Sequence, residues 1–115
     1  MILEDFYAEV LQKLGVLAAE ESPHSADRLA VKTKYENVHA RESRRDIGVN
    51  WFDDEDVPDW IADGFASVVA YELASKFSVS MDRRAQLKFD SDAGMTLLIA
   101  DGQRRKPPVV TPEYY

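Results

Sequence analysis

The chain has 115 residues, of which 45% are hydrophobic, and it carries a formal net charge of −7 at pH 7. This length and composition are typical of one folded domain with a single core, and they exclude a wholly disordered chain. The acidic balance disfavours sequence-specific binding of nucleic acid, the lack of cysteine excludes disulfides and thiolate metal sites, and no apolar run approaches the ~20 residues that span a bilayer.

The first predicted element is an amphipathic helix near the start of the chain. Leu3, Phe6, Val10 and Leu14 recur at steps of three and four residues, which is the period of one helix face. Gly15 follows directly, and glycine readily adopts the left-handed conformation that closes a helix. The pattern therefore predicts a helix from Leu3 to Leu14.

The second predicted helix is more polar. It opens at Ser22-Pro23 or at Ser25, because serine is a good N-cap and proline is accepted in the first turn, and it runs to about Ser43. Its only apolar stripe is narrow and consists of Val31, Tyr35 and Val38. A helix with so little apolar surface is expected to lie on the outside of the domain or between subunits.

A long loop and then a buried helix are predicted next. Residues Asp46–Asp59 contain glycine, proline and an acidic run, which interrupt any periodicity. Trp51 and Phe52 lie in this loop and are expected either to tuck under the core or to face a partner. The third helix, capped by Asp56 or Asp59, extends from Ile61 to Phe77 and is apolar on nearly every side, so we expect it at the centre of the fold.

The fourth predicted helix is capped by Ser80 and ends near Gly102. Gly94 inside it either allows close approach of a neighbouring helix or marks a break. We expect one stripe at helical spacing to face the core, consisting of Ala85, Phe89, Ala93, Thr96 and Ala100, with Leu87 and Leu98 beside it.

The last segment, Gln103–Tyr115, contains three prolines and is expected to be extended. The predicted fold is thus all-α: a small bundle of about four helices, with a long loop before the central helix and an extended C-terminal tail. We divide the chain into a helical body, residues 1–103, and a C-terminal arm, residues 104–115.

The sequence contains no convincing catalytic or metal-binding set. His24 and His39 have no third ligand at a suitable spacing. Asp90–Gly94 looks like the start of a calcium loop, but the later glycine and glutamate positions do not match. Glu72 lies among apolar residues and is expected to pair with Lys76, a catalytic carboxylate being the alternative. We expect no enzymatic activity and no cofactor or metal.

Three short segments share a pattern with a known family. They are Ala8–Val16 (AEVLQKLGV), Asp56–Trp60 (DVPDW) and Ala70–Val79 (AYELASKFSV). An opening helix with a glycine stop, a proline-led entry into a central helix and a Leu-Ala pair before a final aromatic-small-Val step are shared features. In these segments and in the order of its parts, the chain resembles the head-to-tail adaptor proteins of tailed bacteriophages, also called head-completion or packaged-DNA-stabilisation proteins.

The resemblance implies a structural connector of a tailed-phage virion. Such a protein forms a homo-oligomeric ring, of about twelve copies around a closed axis, below the portal protein. It extends the DNA channel, helps to retain packaged DNA without sequence-specific binding, and docks the tail or the next connector protein. The implied location is the head–tail junction of the virion, after synthesis in the host cytoplasm, with no membrane involved. A net negative charge suits a channel through which DNA must slide.

The resemblance also implies which residues bind. The C-terminal arms of such adaptors reach into the portal, and by position this role falls to Arg105, Lys106, Pro107, Pro108, Val109, Val110, Tyr114 and Tyr115. Tyr35, Trp51 and Phe52 are predicted to contact a neighbouring subunit or the tail. An extended arm offers interface area at little folding cost, and terminal tyrosines are good anchors.

A second hypothesis describes the chain as a small helical regulatory or antitoxin-like module that binds another protein. It predicts a stable dimer with one defined protein or DNA partner, whereas the adaptor hypothesis predicts assembly on a portal. An enzyme would need a pocket around Glu72 or around the acidic run at residues 53–56.

Overall fold

Four helices make up the part of the chain that this computed structural model describes, which is residues 1–18, 21–44 and 55–105, the last three as backbone only. They are α1 (Leu3–Leu14), α2 (Ser25–Arg44), α3 (Asp59–Leu73) and α4 (Met81–Arg105). The predicted all-α bundle is confirmed. Most of the predicted loop, at residues 45–54, and the tail at residues 106–115 lie outside the described residues.

The helix ends follow from local chemistry. Gly15 takes a left-handed conformation with φ 79°, so its amide and that of Val16 bond back to carbonyls of the last turn of α1. Of the two starts considered for the second helix, the structure has Ser25. The third helix is shorter than predicted: it ends at Leu73, and turns follow to Ser78, whose φ is +52°. The amide of Arg83 bonds the Ser80 hydroxyl, as expected of a cap.

The entry into α3 is tied to the start of the chain. The amide of Val57 donates to the carbonyl of Met1 at 3.0 Å, and the terminal ammonium lies 2.6 Å from a carboxylate oxygen of Asp59 and 3.3 Å from one of Asp56. The prediction that Asp56 or Asp59 caps the helix is therefore wrong. Pro58 occupies the N-cap position without a side-chain cap bond.

The core is organised around α3, which packs against each of the other three helices. Three rings from three helices meet at its centre: Phe6 of α1, Tyr35 of α2 and Phe65 of α3, with centroids 5.1 to 5.7 Å apart. Aromatic pairs at such separations and tilts add stabilisation beyond the area they bury. The predicted central position of the third helix is confirmed.

The predicted core-facing stripe of α4 is wrong. Phe89 is 70% exposed, and the other four members of that stripe are also exposed. Their neighbours Leu87 and Leu98 are buried and lie on a different face of the helix. The buried face of α4 has the same helical period and carries a glycine near its middle. Among the residues whose side chains are described, it consists of Leu87, Ser91, Gly94, Leu98, Asp101 and Gly102.

Close approach of the helix backbones explains this choice of face. A Cβ atom added at Gly94 would lie 2.8 Å from the carbonyl carbon of Gly64 and 2.9 Å from its Cα. Only a face with glycine at the crossing point lets α4 lie so near α3, and a face led by Phe89 would hold the helices apart. Of the two roles considered for Gly94, the structure shows close approach in an unbroken helix.

We expect Phe65→Ala to lower the free energy of unfolding by about 3–5 kcal/mol, because it leaves a cavity where three helices meet. Phe89→Ala is the matched control, since the same side chain is removed from an exposed position and should cost less than about 0.5 kcal/mol. Urea unfolding followed by circular dichroism measures both. Equal losses for the two variants would contradict the assignment of the α4 faces.

Gly94→Ala should destabilise the protein by about 1–3 kcal/mol although alanine is the better helix former, because the added methyl group meets the backbone of Gly64. Ala93→Gly, at the exposed neighbouring position, should cost only about 1 kcal/mol through helix propensity. Thermal unfolding distinguishes them. A more stable Gly94→Ala variant would show that the two helices are not in close contact.

Candidate interaction surfaces

The residues predicted to bind partners are placed differently by the structure. Tyr35 is fully buried in the aromatic centre, so its predicted contact with another subunit or the tail is wrong and it belongs to the core. Trp51 and Phe52 lie outside the described residues. Arg105 is the last residue of α4, so the helix continues two residues past the predicted boundary of the body at residue 103. The other predicted portal-binding residues, 106–115, also lie outside the described part.

One exposed apolar surface lies where the start of α3 meets the middle of α4. Trp60 is 57% exposed, and Leu97 and Ala93 line the same shallow groove of about 340 Å³. Phe89 lies one turn before Ala93 on the outer side of α4 and is also exposed. We call these four residues the α4 patch. Large apolar side chains grouped in this way on a surface are typical of sites that bind another protein.

A second apolar surface lies between α2 and the end of α3. Leu29 is 59% exposed, and it lines a groove of about 540 Å³ together with Ala26, Ala30 and Leu73. We call these four residues the α2 groove. The α2 helix thus has two distinct faces: Val31, Tyr35 and Val38 point to the core, and Leu29 points to solvent. Small residues beside one large exposed leucine leave room for a side chain from a partner.

An ion cluster fixes the far ends of α2 and α3 relative to each other, close to the α2 groove. The guanidinium of Arg41 bonds both carboxylate oxygens of Glu72, at 2.9 and 2.6 Å, and its Nε bonds Glu42 at 2.8 Å. Glu42 is fully buried, and the two carboxylates raise the pKa of Arg41, that of Glu72 being the main cause. The predicted pair of Glu72 with Lys76 is therefore wrong, although the prediction of a structural ion pair for Glu72 is confirmed.

The two apolar surfaces differ in the charges at their edges. The α4 patch is bordered by Asp63, Asp90 and Lys13, and Lys13 contacts Asp63 at 2.7 Å, so the net charge there is negative. The α2 groove is bordered by Lys34, Lys76 and Glu72, whose carboxylate contacts Arg41, so the net charge there is positive. Opposite charge at the rims of two surfaces favours their mutual approach.

A third depression, between α1 and the segment before α2, is acidic. Glu4, Glu9 and Glu21 line this space of about 600 Å³, and Arg28 bonds Glu4 from the other side. One carboxylate oxygen of Glu9 is buried and has no hydrogen-bond partner among the described residues. Burial raises the pKa of Glu9, against the opposing effect of nearby Lys13.

Two of the remaining sequence candidates lie within helices. Asp90–Gly94 is part of α4 and not a loop, and the ring of His39 packs beside Tyr35 at 6.0 Å. Within residues 1–18, 21–44 and 55–102, no three histidine or acidic side chains are grouped as metal ligands would be. None of the helices in the described part of the chain is both long and apolar enough to cross a membrane.

Comparison with models of protein families, with curated proteins and with solved structures gives no match for this chain. Sequence reasoning missed both the α4 patch and the α2 groove. Trp60 was visible as a bulky residue in the first turn of a buried helix, and Leu29 as an apolar residue off the stripe of α2. Each of these apolar residues lies away from the buried face of its helix, and this position could have indicated an exposed side chain that binds a partner.

Glu9→Gln should raise the free energy of unfolding at pH 7 by up to about 1 kcal/mol. A carboxyl whose pKa is raised on folding holds its proton more tightly in the folded state, so stability falls as the pH rises above the ordinary value of 4.5. The amide has no charge to desolvate, and its advantage should disappear below about pH 4. Urea titrations at both pH values test this, with exposed Glu36→Gln as control. An advantage that persists unchanged at low pH would contradict the burial explanation.

Proposed function

We propose that this chain is a structural adaptor of a tailed-phage virion, which forms a ring below the portal, extends the DNA channel and docks the tail. The observation that carries the proposal is that the central helix is buried while large apolar side chains are exposed on the outer helices. The helix α3 is covered by three others, while α2 and α4 hold large apolar side chains in solvent on separate surfaces. Such an arrangement suits a rigid part that works through contacts with other proteins.

The segments that resemble the adaptor family support the proposal through their places in the fold. Ala8–Val16 contains the second half of α1 and its left-handed glycine stop. Asp56–Trp60 forms the tied entry into α3, and Ala70–Val79 contains the end of α3 and the turns that lead to α4. The shared pattern therefore lies at the points that set the order and direction of the helices.

The position of the arm in the sequence also fits this role. The arm follows α4, a helix of 25 residues that packs mainly on α3. In the proposed assembly, residues 105–115 reach into the portal. Their prolines limit the conformations lost on binding, and Val109, Val110, Tyr114 and Tyr115 supply the buried surface.

A second candidate, a small regulatory or antitoxin-like module, is supported by the same exposed apolar surfaces but not by the arm. It predicts a dimer in solution that does not recognise a portal. The two candidates are therefore distinguished by one partner, the isolated portal ring encoded in the same genome as this chain.

The test is binding of the full chain to that portal ring, measured by analytical ultracentrifugation. We expect a complex with one chain per portal subunit. Removal of residues 107–115 should weaken binding at least about tenfold, which corresponds to the loss of roughly 1.4 kcal/mol of interface energy. Substitution of Val109 and Val110 by serine should weaken it in the same direction, and Thr111→Ser is the matched control that should bind normally.

No complex between the full chain and the portal would overturn the adaptor proposal. A complex that forms equally well without residues 107–115 would overturn the role of the arm. A stable dimer that ignores the portal would favour the regulatory module.

A further inference from the structure

We infer that the α4 patch of one copy of this chain binds the α2 groove of the next copy, in a head-to-tail contact. The inference deepens the proposed function, because a ring requires a contact between copies, and it names the two surfaces that make the contact.

The apolar side chains of the two surfaces suit each other. The α4 patch offers large exposed side chains: Trp60, Phe89 and Leu97 are 57%, 70% and 44% exposed. The α2 groove is a depression of about 540 Å³ lined by the small residues Ala26 and Ala30 and by the buried Leu73. Anchors of aromatic and aliphatic type bind best where small residues leave a pocket that excludes water.

The two surfaces are also complementary in charge. Asp63 and Asp90 border the α4 patch, with Lys13 already in contact with Asp63. Lys34 and Lys76 border the α2 groove, with Glu72 already in contact with Arg41. When the apolar centres meet, a net negative rim therefore faces a net positive rim. This charge complementarity favours a second copy of the chain as the occupant, although the whole chain carries a charge of −7 that opposes association.

The alternative self-contact, α4 patch against α4 patch, is disfavoured by the same charges. A two-fold contact would bring the acidic rim of each copy, with Asp63 and Asp90, against its own equivalent. Like charges placed opposite each other across an interface oppose binding. The contact we infer joins two different surfaces of the chain, and such a contact repeats from copy to copy until a ring closes or a filament grows.

The surfaces are placed so that both can be used at once. The α2 helix and α4 each pack on α3, and neither surface uses residues of the other: the α4 patch comes from α4 and the first turn of α3, whereas the α2 groove comes from α2 and the last turns of α3. One copy can therefore bind a neighbour at each surface.

The first experiment is a complementation test in solution, without portal. Leu97→Asp disrupts the α4 patch, and Leu29→Asp disrupts the α2 groove. Because each variant keeps one intact surface, neither should self-associate, but an equimolar mixture should form a 1:1 heterodimer and stop there. Sedimentation velocity measures the species. Met81→Asp is the matched control, since it replaces an exposed residue of α4 that is 87% accessible and lies outside both surfaces.

The second experiment uses single cysteines, which is direct because the chain has none of its own. Ala93→Cys and Ala30→Cys proteins are mixed at the highest soluble concentration and treated with a short bismaleimide cross-linker. We expect the mixed product to form at least tenfold faster than with Asp5→Cys, a control on the exposed side of α1, in place of either partner. This test also detects a contact that is too weak to survive sedimentation.

Three results would overturn the inference. The first is a mixture of the aspartate variants that contains only monomers, together with mixed cross-linking that is no faster than the control. The second is formation of Ala93→Cys homodimers as fast as the mixed product, and the third is association of the Leu97→Asp and Leu29→Asp variants like that of the unsubstituted chain. Failure here is separate from failure of the proposed function. Copies that associate through these surfaces but ignore the portal leave the contact standing and remove the adaptor role, and portal binding without this contact does the reverse.

Discussion

A helix that is apolar on nearly every side must be covered on every side, and this requirement of α3 organises the molecule. Water cannot hydrate its surface without a large free-energy cost, so α1, α2 and α4 each give one face to it. The aromatic contact of Phe6, Tyr35 and Phe65 closes one side, and the crossing of Gly64 with Gly94 closes another. In the described part of the chain, the outer surfaces of α1, α2 and α4 are therefore the faces that do not pack on α3.

The faces of α2 and α4 that do not pack on α3 hold large exposed apolar side chains. Because the glycine face of α4 packs on α3, Phe89 and Leu97 point outward, and Leu97 lines the same groove as Trp60. The narrow apolar stripe of α2 likewise leaves Leu29 in solvent. The ion cluster of Arg41 with Glu42 and Glu72 then holds the two helices that form the groove around Leu29. The packing of α2 and α4 on α3 therefore determines both the core and the surfaces that we propose as contacts between copies.

The sequence predicted the number and order of the helices well, because periodic stripes, Gly15 and Ser80 act locally. It failed where two faces of one helix satisfy the same period. On α4 the stripe with Phe89 is the more apolar, but the stripe with Gly94 fits against α3, and the depth of a helix crossing is not encoded in hydrophobicity. The prediction for Tyr35 failed because the polar character of α2 as a whole indicated an outer helix, whereas the rings of Phe6 and Phe65 enclose this side chain in the core. The ion pair of Glu72 with Arg41 joins residues of two helices and could not be predicted from spacing along one.

The most direct test of this account is hydroxyl-radical footprinting of the chain, free and assembled on the portal ring. Leu29, Trp60, Phe89 and Leu97 are exposed in the free chain and should react readily. We predict that assembly lowers their modification while Met81, on the same helix as Phe89 and Leu97, stays reactive. Unchanged modification of all four residues in the assembled protein would contradict the account.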